Sequence, residues 1–304
     1  MTKLNLSHIS ANGQFGILML IIFVSALIFA FFGMFVGYLF TGLTIDNSVL
    51  SDFSNPTTIS YLKISQIFQA IGIFVVPPLL AVYIFKKGTE NYLSFNSTRL
   101  ILLFLSAIIM IISLPIINWL AELNQAISFP DSMHGIETWM HQQEDAAIRI
   151  TKYFLQADSI GVLLINLFIM ALIPAIGEEM LFRGVIQKMF SNMSNNKHIG
   201  IWLTAFLFSA IHMQFLTFLP RFFMGAMFGY LLVWSGSIWL PIIAHFINNA
   251  MAIISNYLFQ NKIIKTDLEN IEIDNQFYYL ILSSVLVGFL LYYIYQDTTN
   301  TEAI

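Results

Sequence analysis

The chain lacks cysteine and has little charge. None of its 304 residues is Cys, and Asp, Glu, Lys and Arg together make up 10% of them. The absence of Cys excludes disulfide bonds, thiolate metal ligands and a cysteine nucleophile. A soluble domain has about a quarter of its residues charged, so this composition excludes an ordinary soluble domain. With a net charge of −4 and no basic stripe, the chain is not expected to bind nucleic acid.

Long apolar runs dominate what remains, since 58% of the residues are hydrophobic. A helix needs about 20 apolar residues to cross a bilayer. The pattern predicts an all-α polytopic membrane protein with about eight transmembrane helices. The predicted spans are residues 15–40, 61–85, 100–122, 159–190, 199–215, 219–234, 237–258 and 276–296.

Proline marks irregularities within three of these spans. Pro77 and Pro78 predict a kink in the second span, and Pro115 predicts one in the third. Pro174 and Gly177 predict a bend or break in the fourth span, which is too long for one plain crossing.

The distribution of basic residues predicts the orientation. Lys86, Lys87 and Arg99 flank the loop between the second and third spans, so the positive-inside rule places this loop in the cytoplasm. Further basic residues that agree are Lys3, Lys188 and Lys197. With eight spans both termini are then cytoplasmic, and we expect an integral protein of a bacterial inner membrane.

The longest polar connection, residues 123–158, contains an amphipathic pattern. Such a helix fits the outer membrane surface, a cap on the bundle, or an ordinary extramembrane helix. Its apolar residues at helical spacing are Ile136, Trp139, Met140, Ala147, Ile150 and Phe154.

The segment IGEEMLFRGVIQ of the fourth span contains three ionisable residues, Glu178, Glu179 and Arg183. Such residues are costly in hydrocarbon and usually line a functional cavity. Glu179 and Arg183 are four residues apart, so they can pair on one helix face. Glu178 is rotated by about 100° from Glu179 and is free to face a cavity. A polar cluster that stabilises the bundle, or an ion pathway, would account for the same segment.

Two later spans contribute histidines. His212 follows Phe208 by four residues in FLFSAIHMQF, and His245 precedes Asn249 by four residues in AHFINNAM. Taken singly, either His could be a packing residue, and an Asn in a membrane helix often bonds only to its neighbour. Together with Glu178, however, they form a set of groups with catalytic potential.

This set suits the hydrolysis of a peptide bond, which needs activated water, a proton shuttle and oxyanion stabilisation. A carboxylate and a His can activate water, while a second His and an Asn amide can donate to the oxyanion. Glu178, His212 and His245 are also candidate ligands for Zn²⁺ or another divalent metal, with one position left open. The motifs HExxH, GxGD and GxSG of other intramembrane proteases are absent from the chain.

The motifs EExxxR, FxxxH and HxxxN, in this order, resemble those of the CPBP family, the CAAX prenyl endopeptidase and bacteriocin-processing proteins, also called Abi. The resemblance covers roughly residues 160–260 and implies an eight-helix intramembrane endopeptidase with a catalytic cavity that opens toward the cytoplasm. The family is often labelled a metalloprotease, but a metal-free glutamate mechanism is also argued for it. We favour glutamate-activated water here, because an Asn suits an oxyanion donor better than a zinc ligand. The implied roles are water activation by Glu178 and His212, oxyanion stabilisation by His245 and Asn249, and orientation of the site by Glu179 and Arg183.

The resemblance also predicts a division of the chain. Residues 1–158 form three spans and the extracytoplasmic connection, residues 159–260 form the catalytic core, and residues 261–304 form the last span and the tail. The expected substrate is a membrane-embedded or lipidated protein or peptide. Two other functions fit the same composition: a non-catalytic membrane scaffold or bacteriocin-immunity protein, and a proton-coupled transporter. The transporter lacks support from any internal duplication of the kind common in that class.

Overall fold

A computed structural model of the chain describes residues 6–43, 52–53, 55–85, 91–265 and 276–301. These residues form helices joined by short connections, and no strand occurs among them. The helices of the N-terminal half are α1 (Ala11–Thr41), α2 (Pro56–Ala70), α3 (Val76–Phe85), α4 (Leu100–Ile112), α5 (Leu114–Gln125) and α6 (His134–Leu155). Those of the C-terminal half are α7 (Ile160–Leu167), α8 (Ile173–Leu181), α9 (Gln187–Ser194), α10 (Lys197–Ala210), α11 (Phe218–Ser235), α12 (Trp239–Gln260) and α13 (Gln276–Thr301).

Within the described ranges, six continuous helical stretches are long and apolar enough to cross a membrane, and some of them join two or three of the helices named above. The bent pair α4–α5 makes a seventh span. The prediction of an all-α polytopic membrane protein is therefore confirmed, with eight spans as an approximate number. The predicted fifth span, residues 199–215, corresponds to α10, which has only 14 residues and ends at Ala210. At about 1.5 Å per residue it reaches only about 21 Å, less than the roughly 30 Å hydrocarbon core.

The prolines act in two different ways. As predicted, the third span bends, by 44° at the break before Leu114 and Pro115. The fourth span does not break at Pro174, because the chain stays helical from Ile160 to Ser194. Instead, π-helical turns with wider i→i+5 bonding occur on both sides of α8. The π-helical turns are Ile71–Val75 before α3, Phe168–Leu172 before α8 and Phe182–Ile186 before α9.

The predicted orientation stays a prediction, and three of its basic residues, Lys3, Lys86 and Lys87, lie outside the described residues. Lys188 is described, and its ammonium group donates to the Tyr92 carbonyl and to Ser94 Oγ, 3.0 Å away.

The two largest apolar clusters join most of the helices. One joins α4, α11, α12 and α13 through Ile109, Leu231, Leu240 and Ile294. The other packs α1 and α3 against α8, the π-helical turn Phe182–Ile186 and α10. The first cluster contains residues from all three predicted segments of the chain, and the three-segment division itself stays a prediction.

Glycines in α11 allow its close contact with α10 and α9. A Cβ atom at Gly225 would lie 3.1 Å from Ala205 Cα, and one at Gly229 would lie 2.8 Å from Ile201 Cγ2. Small residues four apart are typical of closely packed membrane helices. Because the glycines have no side chains, the Gly225 carbonyl is accessible to Arg183 in the π-helical turn Phe182–Ile186, and the Gly229 carbonyl is accessible to Gln187 in α9.

Candidate active site

The site is built around a fully buried ion pair. Arg183 Nη1 donates to Glu179 Oε1 at 2.9 Å, so the pairing predicted from the i,i+4 spacing is present. Arg183 Nη2 donates to the Gly225 carbonyl at 3.0 Å. The guanidinium lies 4.5 Å from the Phe208 ring centroid and 5.3 Å from that of Phe228. These contacts compensate for part of the cost of burying the charge.

His245 joins this pair from α12. Its Nδ1 lies 2.9 Å from Glu179 Oε1, and since an ionised carboxylate can only accept, Nδ1 carries the proton. The imidazole stacks on Phe228 at 5.4 Å and meets Phe208 edge-on at 5.8 Å. The ring is therefore fixed on three sides, and Nε2 is its one remaining polar atom.

Glu178 lies opposite that nitrogen. Its carboxylate is buried, and Oε2 is 3.9 Å from His245 Nε2. Among the described residues, Oε2 has no hydrogen-bond partner. A gap of this length between two polar atoms is one that a water molecule can bridge. Glu178 thus differs from Glu179, whose Oε1 already accepts two hydrogen bonds.

His212 lies just beyond the end of α10, not within a helix as its place in the predicted span 199–215 implied. Its Nδ1 is 2.7 Å from the Phe208 carbonyl oxygen. Because a carbonyl only accepts, Nδ1 is the donor and Nε2 of the neutral ring is an acceptor. The Phe208 ring contacts both histidines, with its centroid 5.0 Å from His212 and 5.8 Å from His245. Within the described part of the chain, His212 forms no ion pair with Glu178.

Asn249 lies one turn after His245, and its amide donates to the Met170 carbonyl at 3.3 Å. In a regular helix that carbonyl would accept from residue 174, but Pro174 has no N–H to donate. Asn249 therefore satisfies a backbone group that Pro174 leaves free, as neighbouring helices do in membranes. One amide hydrogen of Asn249 remains for another acceptor, while its Oδ1 accepts from Asn248 at 3.1 Å.

The three candidate metal ligands, Glu178, His212 and His245, do not form a metal-binding group. In the described ranges, no three His, Asp or Glu side chains are arranged to hold a metal ion. Two of the imidazole nitrogens are also engaged, by Phe208 and by Glu179.

Two further polar residues near the site were not predicted. Gln187, one turn after Arg183, donates to the Gly229 carbonyl at 3.2 Å. Arg221 interacts electrostatically with Glu178 and donates to Thr217 Oγ1 at 2.8 Å. Both have a signal in the sequence: Gln187 continues the 179–183 helix face, and Arg221 is an ionisable residue inside a predicted span.

The segment that contains the site is similar to known proteins. Residues 160–251 match the family described as type II CAAX prenyl endopeptidase Rce1-like, and this segment contains all six predicted site residues. A 90-residue stretch is 34% identical to the uncharacterized protein YpbD of Bacillus subtilis strain 168, covering 28% of this chain and 43% of that protein. No solved structure gives a significant match. The resemblance predicted from the three motifs is confirmed for this segment, and it supports a CAAX-type intramembrane protease as the class.

Proposed function

We propose that this chain is an intramembrane endopeptidase that hydrolyses a peptide bond of a membrane-embedded or lipidated protein or peptide. The observation that carries the proposal is the buried Glu178 carboxylate, with an oxygen that lacks a partner in the described residues, 3.9 Å from His245 Nε2. A cluster that only stabilised the bundle would not require a second buried carboxylate beside the Glu179–Arg183 pair.

In the proposed reaction, Glu178 accepts a proton from a water molecule as the water oxygen attacks the scissile carbonyl carbon. His212 orients the same water through Nε2, because Nδ1 is held by the Phe208 carbonyl. The carbonyl oxygen becomes an oxyanion. His245, which needs protons on both ring nitrogens for this step, donates to it through Nε2, and Asn249 donates through its remaining amide hydrogen. Glu178 then passes its proton to the leaving nitrogen as the C–N bond breaks.

Glu179 and Arg183 orient the site in this proposal. Glu179 Oε1 holds His245 Nδ1 at 2.9 Å, which aims Nε2 toward Glu178. Arg183 balances the charge of Glu179. With His245 protonated, the two carboxylates face two cations, so the buried cluster is neutral overall, as a low-dielectric environment requires.

The experiment that tests the proposal measures the cleavage of quenched-fluorescent peptides in lipid vesicles by the purified protein. The library includes farnesylated peptides that end in a CAAX sequence. We expect Glu178→Gln to lower kcat by about 100-fold or more, since a general base contributes roughly 10²–10⁴-fold. Glu122→Gln is the matched control, because Glu122 is exposed on α5, and it should cleave like the wild type. Equal cleavage by wild type and Glu178→Gln would overturn the assignment.

A second arm of the experiment addresses the metal alternative. Incubation with a chelator before the assay should leave kcat unchanged if Glu178 activates water directly. Loss of cleavage that returns on addition of Zn²⁺ would show instead that the active form binds a metal. A wild type that cleaves no peptide in the library would contradict the endopeptidase proposal and favour the scaffold or transporter.

A further inference from the structure

The loop of residues 211–217, which carries His212, joins α10 to α11; its backbone is irregular from 211 to 214 and forms a 3₁₀ turn at Phe215–Thr217. The α10 helix before it is about 21 Å long, shorter than a hydrocarbon core of about 30 Å. Backbone groups without regular helical bonds in a membrane need protein groups to satisfy them. The partners of this loop therefore determine whether His212 has a fixed position.

One partner comes from the helix that follows the loop. Arg221 Nη1 donates to Thr217 Oγ1 at 2.8 Å and to the Gln214 carbonyl at 3.3 Å, and Nη2 donates to Gln214 Oε1. These bonds close the loop on itself. They do not attach it to the rest of the bundle.

The attachment comes from α6. Glu144 is 4% exposed, and both of its carboxylate oxygens accept from the loop. Oε2 accepts from the Leu216 N–H at 3.1 Å, and Oε1 accepts from the Thr217 hydroxyl at 3.2 Å. Trp139, on the same helix, contacts the Phe215 ring at 5.1 Å. The amphipathic helix is thus fastened to the loop by a buried carboxylate and an aromatic contact.

A second attachment comes from α5. Asn124 is buried, its amide donates to the Phe215 carbonyl at 2.9 Å, and its Oδ1 accepts from the Leu219 N–H at 2.7 Å. Asn124 therefore holds backbone groups on both sides of Thr217, while Glu144 holds the Leu216 N–H and the Thr217 hydroxyl between them.

We propose that Glu144 is a positioning residue of the active site: by holding Leu216 and Thr217 it fixes the 211–217 loop and thereby the place of His212. The inference rests on the proposed endopeptidase function. Glu144 lies outside the segment that matches the protease family, residues 160–251. The amphipathic helix α6 then helps to position the active site.

The geometry explains why an acidic residue occupies this position. Thr217 Oγ1 accepts from Arg221 and donates to Glu144, so the hydroxyl links a cation to a carboxylate. Arg221 in turn interacts electrostatically with Glu144 and with Glu178. Loss of Glu144 would leave the Leu216 N–H and the Thr217 hydroxyl without acceptors in a poorly hydrated region.

The test compares Glu144→Ala, Glu144→Gln and Asp145→Ala in the full-length protein. Asp145 is exposed beside Glu144 on the same helix and is the matched control. The first measurement is the rate at which diethyl pyrocarbonate modifies His212, followed by mass spectrometry, with exposed His198 as the internal reference. We expect Glu144→Ala to raise the His212 rate at least several-fold and to leave the His198 rate unchanged. Asp145→Ala should match the wild type at both histidines.

The second measurement is peptide cleavage. Glu144→Ala should lower kcat by about 10-fold or more, with KM within about twofold, since a small misplacement of a catalytic group costs up to about 10²-fold. Glu144→Gln should recover most of the loss, because a Gln amide can accept from Leu216 and donate to Thr217. If Glu144→Ala does not fold, Thr217→Val removes the same hydroxyl contact and should give the same direction of change.

The outcomes separate the two proposals. An unchanged His212 modification rate in Glu144→Ala overturns the positioning role, whatever the protein cleaves. A raised rate with unchanged kcat overturns it as well, since His212 would then have moved without consequence. A wild type without cleavage contradicts the endopeptidase function, and the His212 rates still test the attachment of the loop.

Discussion

Arg183 is a charged side chain without exposed surface in a chain whose helices suit a lipid environment. Its charge is tolerated because Glu179, the Gly225 carbonyl and two aromatic faces surround it. Removal of one partner of a buried pair leaves an uncompensated charge, whereas removal of both does not. A comparison of the single and the double variant can therefore distinguish the structural role of the pair from its role in the site.

We therefore predict that Arg183→Met lowers the free energy of unfolding by about 3–5 kcal/mol. The double variant Glu179→Leu with Arg183→Met should recover most of that stability but remain inactive, because His245 loses the carboxylate that holds its Nδ1. Thermal unfolding in detergent measures the first effect and peptide cleavage the second. Arg149→Met, at an exposed position of α6, is the control. A double variant with wild-type cleavage would show that Glu179 does not orient the site.

Single residues differ in how far the sequence predicts their contacts. The Glu179–Arg183 pair follows from helical spacing alone. Glu178 and His245 lie on helices that are far apart in the sequence, α8 and α12, so their approach depends on tertiary packing. Glu144 had a local signal: it lies four residues after Met140 and three before Ala147, on the apolar face of the amphipathic helix. An acidic residue on such a face indicates a buried partner, and only the fold identifies that partner as the His212 loop.

At the scale of elements, apolar run length predicts helices well and their internal irregularities poorly. The π-helical turns beside α8 have no apolar period of their own, because only one residue is added per turn. From the sequence, Pro174 therefore predicts a break in the helix. In the fold, the Asn249 amide donates to the Met170 carbonyl, to which Pro174 cannot donate because it has no N–H. The helix stays continuous, and Glu178, Glu179 and Arg183 keep their relative places.

The close packing of α11 predicts that adding a single methyl group at Gly229 lowers the stability of the protein. A Cβ atom at Gly229 would lie 2.7 Å from Gln187 Oε1 and 2.8 Å from Ile201 Cγ2, so Gly229→Ala should destabilise the protein by about 1–3 kcal/mol. Gly288→Ala in α13 is the matched control, since a Cβ atom there meets nothing within 4 Å. The control should be neutral or stabilising by up to about 1 kcal/mol. Thermal unfolding measures the stability of both variants. Equal stability of Gly229→Ala and Gly288→Ala would mean that α10 and α11 are not tightly packed at Gly229.

At the scale of the whole molecule, the positions of the basic residues predict which loops face the cytoplasm. The absence of Cys makes the chain suitable for single-cysteine labelling without background. We predict that His141→Cys, on exposed α6, reacts with a membrane-impermeant maleimide in intact cells, while exposed Ser97→Cys reacts only after permeabilisation. The reverse pattern would invert the predicted topology.

The short helix α10 has a consequence for the surrounding lipid. Its lipid-facing side chains, such as Trp202, Leu203 and Phe206, are exposed over a length well below the usual hydrocarbon thickness. Lipids accommodate such mismatch by local thinning, at a modest free-energy cost per Å. Acyl chains beside α10 should therefore be compressed, and the water–lipid boundary should dip toward the end of that helix. The protein would then shape the membrane next to its own site, shortening the path by which water reaches it.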